Sequence, residues 1–437
     1  MDLLTVSKNR KFLVRESGEP FFWLGDTAWV LFNKLNREEA DFYLESRAAQ
    51  GFNVVQAAAF RDLDEQELES NAYGRKPLKM NKHGEIDPAL PDTDGENHYW
   101  THVDYIVDKA ASLGIYIAML PTWGIRFHAK PGKSTEIFTV ENAREYGLWL
   151  GERYRDRNNL LWVLGGDRAL TKRKHFEIIH SMARGIMDGD GGRHLITFHP
   201  PGNFSSSFYV HDENWLNFNM IQSGHGEEVR VQANYIKVAE DYNRIPSKPV
   251  LDSEPCYEDH PIGFRPQNGY FDEADVRKAA YYAVFSGAFG HTYGHHSVRS
   301  MTTEPSDYTI MHWKEAIHRP GSVQMRYLQS LIESFPMLER VPDQRLVAEN
   351  YEGANYMAAT RGTNYALIYF PNGLKGKIQM GLISGETIRA SWFDPRKGDR
   401  LPAGVYANND TVVFEPPQSG RGNDWVLVLE SVVPASL

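Results

Sequence analysis

The sequence has 437 residues, more than one ordinary domain, with 41% hydrophobic and 24% charged residues and a formal net charge of -10. That balance fits a soluble globular protein. It contains no apolar run long enough to cross a bilayer and no basic stripe of the kind nucleic-acid binding depends on, so neither a membrane nor a nucleic acid is expected as a partner. A single cysteine, Cys256, excludes an internal disulfide and a zinc-thiolate site.

The first residues, Met-Asp-Leu-Leu-Thr-Val-Ser, show no basic segment followed by an apolar one. This points to a cytoplasmic chain, or to a secreted or periplasmic one whose signal has been removed. Residues 4–6 and 12–14 then read as a small hairpin able to plug the bottom of a barrel. From there, apolar runs of strand length recur at 22–26, 52–60, 115–123, 160–167, 195–200, 217–222, 249–254 and 288–293. Most are followed by an amphipathic helical segment, and eight such units in succession predict a closed (β/α)8 TIM barrel.

Among the helices, Asn36 is placed to cap 37–50, which stops at Gly51. Phe176, Ile179, Ala183 and Ile186 follow helical spacing, as do Val231, Tyr235, Val238 and Tyr242. The crossover at 205–216 is short for a helix. A long loop at 61–100, rich in Pro, Gly, Asp and Asn, belongs on the catalytic face. After Pro336 the pattern changes to short runs separated by turn residues, which predicts a small all-β sandwich. The expected division is a barrel with its hairpin over 1–340 and a sandwich over 345–437.

Two carboxylates close the fourth and seventh of these runs, Asp167 and Glu254. Side chains from those positions converge at the mouth of a barrel, where a pair of acids is the requirement for acid/base cleavage of a glycosidic bond. Either acid taken singly could merely cap the next helix or pair with Arg168 or Arg265. Glu258, the nearest rival to Glu254, lies beyond Pro255 and is assigned to the loop.

Sugar-binding candidates end the other strands: Asp26 and Trp29 after the first, Trp123 after the third, His199 after the fifth, Gln222 with His225 after the sixth, and Tyr293 with His295 after the eighth. A carboxylate or imidazole there can exchange hydrogen bonds with hydroxyls, and an indole can stack beneath a ring. His225 with the histidines at 291, 295 and 296 raises a metal site, but no HExxH helix or partner acid accompanies them, so neither a metal nor any other cofactor is expected. Pro-Gly-Lys-Ser at 131–134 lacks the leading glycine of a phosphate loop, with Phe127 in its place, and no Gly-x-Ser-x-Gly elbow occurs.

Several stretches in order resemble the apiosidase-like glycoside hydrolases: Pro-Phe-Phe-Trp-Leu-Gly-Asp-Thr-Ala-Trp at 20–29, Trp-Val-Leu-Gly-Gly-Asp at 162–167, Phe-His-Pro at 198–200, Gln-Ser-Gly-His at 222–225 and Asp-Ser-Glu-Pro-Cys-Tyr-Glu at 252–258. Trp-Phe-Asp-Pro-Arg at 392–396 and Gly-Asn-Asp-Trp at 422–425 resemble the collagen-binding-type β domain that accompanies them. The resemblance implies a retaining barrel with Asp167 as acid/base and Glu254 as nucleophile, acting on a terminal sugar of plant cell-wall pectin side chains. Most relatives in the wider clan of such barrels place Asn-Glu at the end of the fourth strand, whereas here the pair is Gly166-Asp167. An endo-acting β-glucanase on the same barrel and a non-catalytic carbohydrate-binding protein are the alternatives. In every case the expected partner is an oligosaccharide or polysaccharide, while the oligomeric state is left open.

Overall fold

The computed structural model describes residues 1–61, 70–129, 132, 134–230 and 234–432. Val231, Pro131, Lys133, part of the long loop at 62–69 and the end of the chain at 433–437 lie outside them. Eight parallel strands form the barrel: Trp23–Thr27, Val54–Ala58, Tyr116–Leu120, Leu160–Gly165, Ile196–His199, Asn219–Ile221, Val250–Asp252 and Gly290–Tyr293. Ladders join six of them in one sheet, with the eighth strand beside the first, and the sixth and seventh pair with each other. Backbone hydrogen bonds close the two remaining seams, Asn217 N–H to the Ile196 carbonyl at 2.9 Å and Phe289 N–H to the Val250 carbonyl at 3.0 Å.

Every residue of these strands is buried, because helices cover one face and the barrel interior the other. Asn36 caps the helix Arg37–Ala49 in a reciprocal box with Glu39, and Gly51 follows at φ +94°. The fourth crossover carries a long helix, Arg173–Asp190, whereas the fifth has only the single turn Ser207–Val210. At the bottom of the barrel, Leu4–Val6 and Leu13–Arg15 pair as expected, and a third short strand, Pro20–Phe21, joins them. Within the long loop the structure adds a hairpin, Leu78–Met80 with Ile86–Pro91. Among the described residues no helix is long and apolar enough to cross a membrane.

The C-terminal unit is two antiparallel sheets, one of six strands and one of three. Ile368, Phe370, Ile378, Trp392, Phe414 and Leu427 fill the space between them. The other face of the larger sheet presents Leu367, Tyr369, Val426 and Val428 to the barrel helix Glu273–Phe285, in one apolar core shared with the barrel.

Candidate active site

Asp167 and Glu254 each stand two residues past the end of their strand and line the same pocket, of about 340 Å³, at the barrel mouth. Three consecutive residues, Gly165, Gly166 and Asp167, have positive φ, at 93°, 110° and 61°. This strained turn aims Asp167 into the pocket. It also accounts for Gly166 standing where most of the clan has Asn. A Cβ at Gly166 would come within 2.8 Å of Gly124 N and 3.1 Å of Trp123 Cε3, on a backbone that side chains rarely adopt. Gly166→Ala is expected to cost about 1–3 kcal/mol of stability and to lower kcat by displacing Asp167. Thermal melting and turnover check this together, and wild-type values in both would show the turn to be tolerant.

The two carboxyls have opposite surroundings. Asp167 makes no side-chain hydrogen bond among the described residues and opens to the pocket, with protein crowding its other sides. That crowding, and next the neighbouring Glu254 charge, raise its pKa. Glu254 is 6% exposed. Its burial favours the neutral acid, but the imidazoles against it outweigh that by contact and charge and hold it well below the usual carboxylate range. His199 Nε2 lies 3.0 Å from one carboxylate oxygen and His225 Nε2 3.2 Å from the other. His199 is wedged beside Trp29 and Trp123, at ring separations of 5.3 and 6.0 Å, and His225 stacks on His260 at 4.3 Å.

The structure therefore gathers Trp29, Trp123, Gln222 and His225 with the two acids around the pocket, with His199 directly behind Glu254. Asp26, Tyr293 and His295 do not line it. Asp26 turns into the barrel wall, where it accepts from the Tyr43 hydroxyl and Arg47 Nε, both at 2.6 Å. The Tyr293 hydroxyl donates to Glu258 at 2.6 Å, and His295 pairs with Asp259 at 3.0 Å. Buried polar groups need such partners, and these pairings anchor the loop that follows Glu254. Glu258 is wholly buried in this scaffold, and that burial pushes its pKa up to about 7.

Reading strand ends misses several further lining residues, among them Arg61, Tyr257, His260, Phe264 and Arg299. Arg61 immediately follows the second apolar run, so the same strand-end rule could have found it. Its guanidinium lies over the Trp123 ring, 3.7 Å from the centroid. Burial, and then the charge of Arg299, lower its pKa to about 10. Tyr257 lies inside the 252–258 stretch, and its hydroxyl accepts from Trp29 Nε1 at 3.2 Å.

Two strand-end acids thus share one pocket at the mouth of a (β/α)8 barrel. The family model described as "Apiosidase-like, catalytic domain" matches residues 7–339. The chain belongs to the apiosidase-like glycoside hydrolases. A second model, described as "Putative collagen-binding domain of a collagenase", matches residues 341–430. Among solved structures, this hydrolase is similar to one titled "Glycoside hydrolase", at 33% identity and TM-score 0.88, over 98% of this chain and 97% of that one. It is also similar to a family 5 glycoside hydrolase from Bacteroides vulgatus, at 32% identity and TM-score 0.88, over 99% and 96% of the two chains. A family 27 β-L-arabinopyranosidase from Geobacillus stearothermophilus, at 12% identity and TM-score 0.55 over 95% and 98%, shares the fold alone. No curated protein matches the sequence. The apiosidase-like chain is thus a glycoside hydrolase, and its substrate is a carbohydrate.

Proposed function

We propose that this hydrolase removes a terminal sugar by a retaining double displacement. Glu254 attacks the anomeric carbon while Asp167 protonates the departing oxygen. Asp167 then takes a proton from the water that attacks the glycosyl-enzyme, releasing Glu254. The observation that carries this reading is the divergence of the two carboxyls in one pocket, Glu254 held ionised by two imidazoles and Asp167 held toward its protonated form. Two acids whose environments push their pKa values apart are suited to separate roles.

A volume near the lower end of small-molecule sites supports action on a chain end over cleavage within a long groove. A non-catalytic binder would have no use for a strained acid beside an imidazole-clamped one. Membership of the family supports apiose on plant pectin side chains as the sugar. Incubation with pectic oligosaccharides, followed by chromatography of the released monosaccharides, is expected to show apiose appearing. Release of another sugar alone, or cleavage only at internal bonds, would overturn the substrate assignment.

A further inference from the structure

Stacking of a sugar on an aromatic ring needs a ring face that is both at the pocket and open. Trp123, the indole expected from the sequence to serve, is 6% exposed and has Arg61 over its ring at 3.7 Å. Trp29 and Tyr257 are each 1% exposed, and the hydrogen bond between them fixes both. Phe264 is different. It lines the same pocket and is 57% exposed.

Its placement is built into the fold. Phe264 has φ 64°, a conformation costly for a bulky side chain, and follows Gly263 at φ 63°. Gly263 N–H is tied to the His225 carbonyl at 2.9 Å, and Phe264 N–H to the Pro261 carbonyl at 3.0 Å. The ring meets His260 edge-on at 5.0 Å and 89°, and His225 at 5.9 Å and 75°. Phe264 thus flanks the stacked His225–His260 pair that backs Glu254, perpendicular to both rings and more than half open to solvent. Tyr308, 38% exposed, stands edge-on to the same His260 ring at 6.1 Å.

We infer that Phe264 is a stacking platform for the sugar residue adjoining the one that is cleaved, so that the substrate is at least a disaccharide. The inference rests on the proposed glycosidase reading. The reacting ring lies deep, between Asp167 and Glu254. The next ring, on the outward side of the scissile bond, then lays its apolar C–H face on the exposed phenyl ring, where the negative π face attracts it. This makes Phe264 a determinant of what the terminal sugar is attached to.

Glu254→Gln, which cannot turn the substrate over, allows binding to be measured by calorimetry with an apiose-containing pectic oligosaccharide. Adding Phe264→Ala is expected to weaken that binding about tenfold, and Phe264→Trp to retain it. Equal affinity with and without the ring, or no binding to Glu254→Gln, would overturn the platform. In the otherwise wild-type enzyme, Phe264→Ala should cost about tenfold more in kcat/KM on the oligosaccharide than on the methyl glycoside of the same sugar. Equal losses on the two would count against it. If the wild-type enzyme released no apiose while ring-dependent binding persisted, the proposed reaction would fall and the platform would stand.

Discussion

Glu254→Gln is expected to lower kcat on an activated aryl glycoside by roughly four orders of magnitude or more, since the amide has neither the charge nor the nucleophilicity to form the glycosyl-enzyme. Asp167→Ala separates the second role. With a dinitrophenolate leaving group, which departs without protonation, the first step survives and the second stalls for want of a base. Azide, small enough to enter the vacated space and needing no base, should then restore turnover and give a glycosyl azide of retained configuration. Azide acting on Glu254→Ala should give the inverted product. Near-wild-type rates in either variant, or the opposite stereochemistry, would sink the assignment. The pH dependence follows from the same pair. In the proposed mechanism activity needs Glu254 ionised and Asp167 protonated, so kcat/KM should rise as pH climbs through the lowered pKa of Glu254 and fall as it climbs through the raised pKa of Asp167. Both limbs belong to the coupled pair rather than to isolated groups. Replacing His199 or His225 with Asn removes a neighbour that holds Glu254 ionised, and should move the acid limb upward.

The two acids are legible in the sequence because a parallel barrel strand, buried on both faces, is written as a continuous apolar run, and the polar residue that ends it marks the mouth. The same rule cannot say which way a strand-end side chain turns. Asp26 and Tyr293 end their strands as expected, yet point into the wall, because Arg47 on the neighbouring helix and Glu258 on the next loop supply the partners that a buried carboxylate and phenol require. Trp123 lines the pocket, but no local pattern foretells that Arg61 will cover its ring. Phe264 carries no signal at all in sequence, since its exposure depends on a left-handed turn held by the His225 loop. In the C-terminal unit the strand Tyr365–Phe370 is buried at every position rather than alternating. The apolar letters of that strand already imply a sheet covered on both faces, but the covering element, a barrel helix, is remote in sequence.

Asp424→Asn should lower the melting temperature of the whole protein, and the reason lies in that remote contact. Arg277, on the helix Glu273–Phe285, meets Asp424 at 2.6 Å with both side chains only 2% exposed. The pair bridges the barrel and the larger sheet of the C-terminal unit. The Tyr369 hydroxyl donates to the same carboxylate at 3.1 Å, while its ring stacks on Tyr281 of the helix at 5.0 Å. Removing the charge at Asp424 leaves a guanidinium buried without its counter-ion, a change worth about 3–5 kcal/mol and, for a protein of this size, a fall in melting temperature of roughly 3–5 °C. The surrounding contacts are of the same kind. Tyr235 stacks on Tyr356 at 4.1 Å, and Arg340 Nη2 donates to the Ala288 carbonyl at 2.6 Å from a fully buried position at the barrel's end. A domain tethered only to bind polysaccharide would not need its sheet fused to the barrel core in this way, so we assign the C-terminal unit a bracing role. Two measurements test it. The chain cut after 340 should be insoluble or melt well below the full one, because the cut uncovers Tyr281, Tyr282 and Phe285 on the helix face. Asp424→Asn should destabilise barrel and sandwich in a single transition. Separate transitions, or a truncated chain as stable as the intact protein, would show the two units to be independent and leave ligand binding as the sheet's better explanation.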